Sequence, residues 1–94
     1  MKPTVISDIS AVLGVTEGVI ADTSVWVSRG QTPAGTYWAL VNPANDQRIG
    51  VVAEHGGLYE AVIGTSIAHT DTAQDAALLV LAALHAPTSK DGVK

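Results

Sequence analysis

Residues Thr36–Ile63 read TYWALVNPANDQRIGVVAEHGGLYEAVI, and the punctuation of this stretch decides the fold. Three segments, TYWALVN, RIGVVAE and LYEAVI, follow a strand-like pattern and are separated by two turn signals. In Asn42-Pro43-Ala44-Asn45-Asp46, Pro43 pre-sets φ at the first central position, and Asn45 and Asp46 tolerate a left-handed corner. Gly56-Gly57 suits a two-residue hairpin of the primed type, which needs positive φ at both positions. The stretch predicts three antiparallel strands. Upstream, Thr23–Arg29 (TSVWVSR) has the same period and predicts a fourth, joined through the loop GQTPAG at 30–35.

The turns set a register. With Gly56-Gly57 at the corner, His55 opposes Leu58, Ala53 opposes Glu60 and Val51 opposes Val62. With Asn42 opposite Gln47, Leu40 opposes Ile49 and Trp38 opposes Val51. One face then carries Trp38, Leu40, Ile49, Val51, Leu58 and Val62, joined by Trp26. The other carries Tyr37, Ala39, Val41, Val52, Tyr59, Ala61 and Ile63, with Val25 and Val27. A half-solvated antiparallel sheet alternates cleanly between apolar and polar. Here both faces are apolar in the middle.

Towards the C-terminus the period changes to that of a helix over 71–86. Asp71 or Thr72 caps it, with Gln74 or Asp75 at the matching third position. The acidic residues suit the positive end of the helix dipole. Pro87 stops the helix, and 88–94 is a polar tail. Within it, Ala76–Leu84 (AALLVLAAL) is apolar all the way round, whereas a surface helix shows one apolar stripe. Ala73, Ala77, Val80, Leu81 and Leu84 form a side that lies on the sheet, while Leu78, Leu79 and Ala82 face elsewhere and need separate cover. At the other end, 4–14 predicts a short helix with Ser7 as cap, Ile6, Ile9, Val12 and Leu13 on one face, and Gly14 at its end. Val15–Ala21 reads as a connector. The fold class is α+β: one domain over 1–94, with a four-stranded antiparallel β-meander (23–63), a C-terminal helix on one face and a short N-terminal helix covering part of the other.

Composition narrows the function. Charged residues make up 15% of the 94, against about 25% in an average globular protein. A chain so sparing of charge keeps part of its surface away from water. The net charge is −4, and between Pro3 and Ser89 the only cations are Arg29 and Arg48. Phosphate-tracking surfaces need clustered Lys and Arg, so nucleic acid is an unfavoured partner. There is no cysteine, which excludes disulfides and thiolate metal sites. The longest apolar run is about half of the ~20 residues a spanning helix needs. MKPTVISDIS does not read as a leader, so no membrane role is expected and the predicted compartment is the cytoplasm. Abundant Ala, Gly and Val with few Lys and no Phe point to a GC-rich bacterial or phage genome.

No catalytic chemistry stands out. His55, His69 and His85 are too far apart for a compact zinc motif. His69-x-Asp71 reads as a local turn or cap. Gly64-Thr65-Ser66 lacks the spacing of a nucleophile elbow. Glu54 and Glu60 fall on opposite faces and do not converge as a glycosidase pair would. No phosphate-cradling glycine loop is present. The sequence therefore predicts no catalytic residue, no cofactor and no metal ligand.

Two stretches resemble DNA-binding modules. Asp8–Ile20 (DISAVLGVTEGVI) is similar to the front of a helix-turn-helix, but the recognition helix that should follow would contain Glu17, Gly18 and Asp22. Residues 35–85 resemble the sheet-plus-helix modules of tyrosine-recombinase N-termini and plant AP2-type domains. That resemblance implies a three-stranded sheet reading the major groove with Arg and Lys. Here Arg48 stands alone, beside Glu54 or Glu60, so the basic face is missing.

What the chain predicts is a non-enzymatic interaction or adaptor protein, a homodimer or higher oligomer that also binds another protein, in a bacterial or phage accessory setting. Its candidate contact residues are Leu78, Leu79, Tyr37, Tyr59, Val52 and Ile63. Tyr37 and Tyr59 qualify because each can keep its hydroxyl at a wet rim, whereas Trp26 and Trp38 read as a core pair. The alternatives are a nucleic-acid-associated module using the sheet, and a small-ligand binder with a pocket between sheet and helix.

Overall fold

A computed structural model describes residues 4–85. The fold is α+β with one sheet and one C-terminal helix, but the sheet has seven strands, not four. In chain order they are β1 (Thr4–Val5), β2 (Val15–Ile20), β3 (Thr23–Thr32), β4 (Gly35–Asn42), β5 (Gln47–His55), β6 (Leu58–Ile63) and β7 (Ser66–Thr70), followed by helix α1 (Ala73–His85). Strand order in space is strand order in sequence. All neighbours pair antiparallel except β1 and β2, which are parallel.

Of the three extra strands, β2 and β7 replace regions predicted as connectors, and β1 falls within the predicted N-terminal helix. Val15–Ile20 pairs with β3 through a tight corner at Ala21-Asp22, where both residues have positive φ. A corner of that shape usually takes Asn or Gly, which is why it gave no turn signal. At the far side Ile63 pairs with Ser66, and Gly64, at φ 60°, supplies the corner. The predicted loop at 30–35 shrinks to Pro33-Ala34, because Thr32 pairs with Gly35. The Thr32 hydroxyl accepts from the Ala34 amide at 3.2 Å and donates to the Gly35 carbonyl at 3.2 Å.

The predicted N-terminal helix is a single 3₁₀ turn, Ile9–Ala11, capped by Asp8 and not Ser7. One turn suffices to drop Ile6, Ile9 and Val12 into the core. Segment 4–14 packs on the same side of the sheet as α1, not on the opposite face. Gln74 of α1 ties the two together: its Oε1 accepts from the Ile9 amide at 3.0 Å and its Nε2 lies 3.5 Å from the Ile6 carbonyl.

Helix α1 begins as predicted, with the Thr72 hydroxyl accepting from the Asp75 amide at 3.1 Å. It buries Ala73, Ala76, Ala77, Val80 and Leu81, mainly on β5 and β6. Leu84, predicted to lie on the sheet, is 41% exposed. The predicted tail 88–94, Ala86 and the His85 side chain lie outside the described residues.

The core face is built from Ile20, Val25, Val27, Trp38, Leu40, Val52 and Ala61, all buried. Gly50 completes it. A Cβ there would stand 2.7 Å from Val80 Cγ1 and 2.8 Å from the Val62 carbonyl oxygen, so the missing side chain is what lets α1 sit down on the sheet.

Candidate interaction surface

The register of β4 and β5 decides which residues face outward. Asn42 pairs with Gln47 and Val41 with Arg48, as the turn predicts, but Leu40 then pairs with Gly50. Ile49 is skipped. This is a β-bulge, in which two residues of one strand stand against one of its neighbour. Beyond it every pair is displaced by one residue, so Trp38 faces Val52 and not Val51. A one-residue slip exchanges the two sides of a strand. Val51 therefore lies on the side away from α1, taking its correctly predicted partner Val62 with it, while Val52 is fully buried under the helix.

The side away from α1 has an ordered layout. Its middle row runs straight across the sheet: Val15, Ser28, Ala39, Val51, Val62 and Ile67. On one side of that row stand Glu17, Trp26, Val41 and Arg48. On the other stand Gly30, Tyr37, Ala53, Glu60 and His69. The Tyr37 ring lies across Gly30 and occupies the space a Cβ would need, the usual way an aromatic neighbour covers a strand glycine. Val15 and Ile67 are 72% and 58% exposed. Trp26, Tyr37, Ala39, Val41, Val51 and Val62 are half-buried by their neighbours in the sheet. Segment 4–14 and α1 both pack on the other side of the sheet, so neither of them covers this face.

Polar groups cluster at its edge. Glu60 is held between two imidazoles, with His55 Nε2 at 3.3 Å from Oε1 and His69 Nε2 at 3.1 Å from Oε2. Each imidazole in the tautomer protonated at Nε2 donates to its own carboxylate oxygen. Among the described residues, no group of three or more His, Cys, Asp and Glu is arranged to hold a metal ion. Glu54 pairs with Tyr59 and points to the α1 side, so Glu54 and Glu60 stand on opposite faces.

The six predicted contact residues do not form one surface. Tyr37 lies on the open face. Val52 is a core residue. Tyr59 and Ile63 are on the α1 side, half-buried and packed against the core, with the Tyr59 ring centroid 6.2 Å from that of Trp38. Trp26 and Trp38 lie on opposite faces and do not pair. Leu78 and Leu79 are 38% and 41% exposed on the flank of α1, where they line a shallow groove with Thr70, Asp71, Asp75 and Ala82. Neither segment 4–14 nor the sheet covers them. The residues missed from the sequence were Val51, Val62 and Ile67, and the signal that could have found them is Gly50 within a strand pattern, since such a glycine often marks a bulge.

No family model, no curated protein and no solved structure matches this chain. No helix among the described residues is long and apolar enough to cross a membrane.

Proposed function

We propose that this is a non-enzymatic interaction protein that works by binding protein through the open face of its sheet. The observation that carries the reading is the uncovered row Ala39–Val51–Val62–Ile67, flanked by Trp26, Val41 and Tyr37. Contiguous apolar patches of this kind on small domains mark interaction sites, and aromatic residues are enriched where interfaces concentrate their binding energy. Size supports it too. Strands of up to 10 residues, six abreast, give a face of roughly 25 by 30 Å in projection, comparable to the ~800 Å² per partner of a standard interface.

The charge layout speaks against a nucleic-acid role for this face. Its one arginine among the described residues, Arg48, shares it with Glu17 and Glu60, where a phosphate-binding sheet would gather several cations. A cytoplasmic accessory protein of a bacterium or phage is the setting this reading assumes.

The test is a photo-crosslinking side chain at Ala53, on the margin of the open face, introduced in the native host. Cross-links from this position to protein, whether another copy or a different chain, are expected. A position-53 probe that forms no protein cross-link, in a chain that remains folded, contradicts the reading.

A further inference from the structure

The geometry points to a second copy of this chain as the occupant of the open face, docked sheet on sheet about a two-fold axis that runs along the Ala39–Val51–Val62 row. This inference rests on the protein-binding reading above and names the partner.

The argument begins with the layout of the three rows. A two-fold axis lying in the interface along the middle row sets each strand over its own counterpart, reversed end for end. Middle-row residues then meet themselves: Ala39 on Ala39, Val51 on Val51, Val62 on Val62. All are small or β-branched, and none carries charge. Such packing buries apolar surface at the centre and leaves polar groups at the rim, the usual anatomy of a protein interface.

The same operation exchanges the two flanking rows, and their chemistry matches. Arg48 of one copy comes over Ala53 of the other, one strand away from Glu60. Each Glu60 oxygen has one imidazole nitrogen beside it, and an ionised carboxylate has about four acceptor positions, so room remains for the guanidinium. By symmetry there are two such Arg48–Glu60 contacts. Val41 comes over Tyr37, and Trp26 over Gly30, where the Tyr37 ring fills the space of the missing side chain and gives an aromatic floor. No acidic side chain is brought onto another, because Glu17 and Glu60 are separated by four strands.

A second exposed apolar patch, on the flank of α1, fails this comparison. The groove at Leu78 and Leu79 is edged by Asp71 and Asp75, with no cation among its lining residues. Two copies meeting there would bring acid onto acid, and like charges across an interface suppress pairing. Self-complementarity is the requirement of a two-fold contact, and it belongs to the sheet face.

The experiment is a charge exchange in the full chain, read by analytical ultracentrifugation with circular dichroism as the control for folding. Wild type is expected to sediment as a dimer. Arg48→Glu places carboxylate against carboxylate, and Glu60→Arg places cation against cation, so each alone is expected to weaken association by roughly tenfold or more. The double variant Arg48→Glu/Glu60→Arg restores opposite charges across the axis and is expected to recover the dimer. A monomeric wild type overturns the inference, as does a double variant no better than either single. Cross-links from position 53 to a different protein only would also overturn it while leaving the protein-binding reading intact. Dimers abolished by Val62→Glu but indifferent to both charge reversals would show the face in use in another orientation, and would overturn the two-fold proposed here.

Discussion

Gly50 of β5 and Val80 of α1 are in such close apposition that a single added methyl group would stand 2.7 Å from Val80 Cγ1. The helix rests on a position without a side chain. Replacing Gly50 with Ala forces α1 outward or shifts the strand, and overpacking of this kind costs about 1–3 kcal/mol. Urea denaturation of Gly50→Ala should show a lower midpoint with an unchanged slope. A variant as stable as wild type would mean that the helix does not sit where it is described.

The same glycine explains how far the sequence could be read. The turns Pro43–Asp46 and Gly56-Gly57, the β5–β6 pairing and the capped start of α1 were all legible, because each depends on local chemistry. The bulge at Ile49 was not, because the apolar run Ile49, Val51, Val52 offers a hydrophobic side chain to either face. Register is weakly specified by such a run, and packing against α1 selects Val52 for the core. Strands β2 and β7 were hidden for different reasons. Gly18 interrupts the first, although it is needed there, since Ile6 Cδ1 would lie 2.6 Å from a Cβ. The second, Ser66–Thr70, is short and lies on an edge, where few contacts demand a pattern. The composition argument, that sparse charge means covered surface, speaks of how much apolar surface there is. It could not place that surface at Val51 and Val62.

Gln74 should matter more than its place on a small helix suggests. It bridges α1 to both Ile6 and Ile9. Gln74→Met keeps the volume but leaves the Ile9 amide without its acceptor, and a buried donor stranded in this way costs about 1–3 kcal/mol. Hydrogen exchange should accelerate at Ile9 by more than at amides in β4 or β5. Equal protection at Ile9 in both proteins would remove Gln74 from its role.

Asp8 gives a pH-dependent readout of segment 4–14. The Ser10 hydroxyl donates to its carboxylate at 2.7 Å and the Ser10 amide at 3.0 Å, and these bonds hold the group below its ordinary 3.8. A carboxyl lowered by folding stabilises the turn fully above 3.8 and loses that contribution as the pH falls through the folded value. In an NMR titration Asp8 should protonate below 3.8, and Ser10→Ala should move it back part of the way. An Asp8 that titrates identically in both proteins contradicts the cap geometry.

Leu79 provides a contrast with the open face. It lies in the acid-edged groove on α1 and away from the open face. Leu79→Glu should leave self-association unchanged and shift stability by no more than about 0.5 kcal/mol, as surface substitutions generally do. Loss of the dimer in this variant would move the interface from the sheet to the helix.

The most direct measurement is the mass in solution of wild type and Val62→Glu, by light scattering over a wide concentration range. Val62 lies at the centre of the uncovered row, opposite Val51, and its side chain takes no part in the core beneath α1. If the open face is where copies meet, wild type shows twice the 9.6 kDa of one chain, while Val62→Glu is folded and shows the mass of one. A wild-type chain that stays at 9.6 kDa at the highest concentration reached, or a Val62→Glu variant that associates as strongly as wild type, contradicts the account.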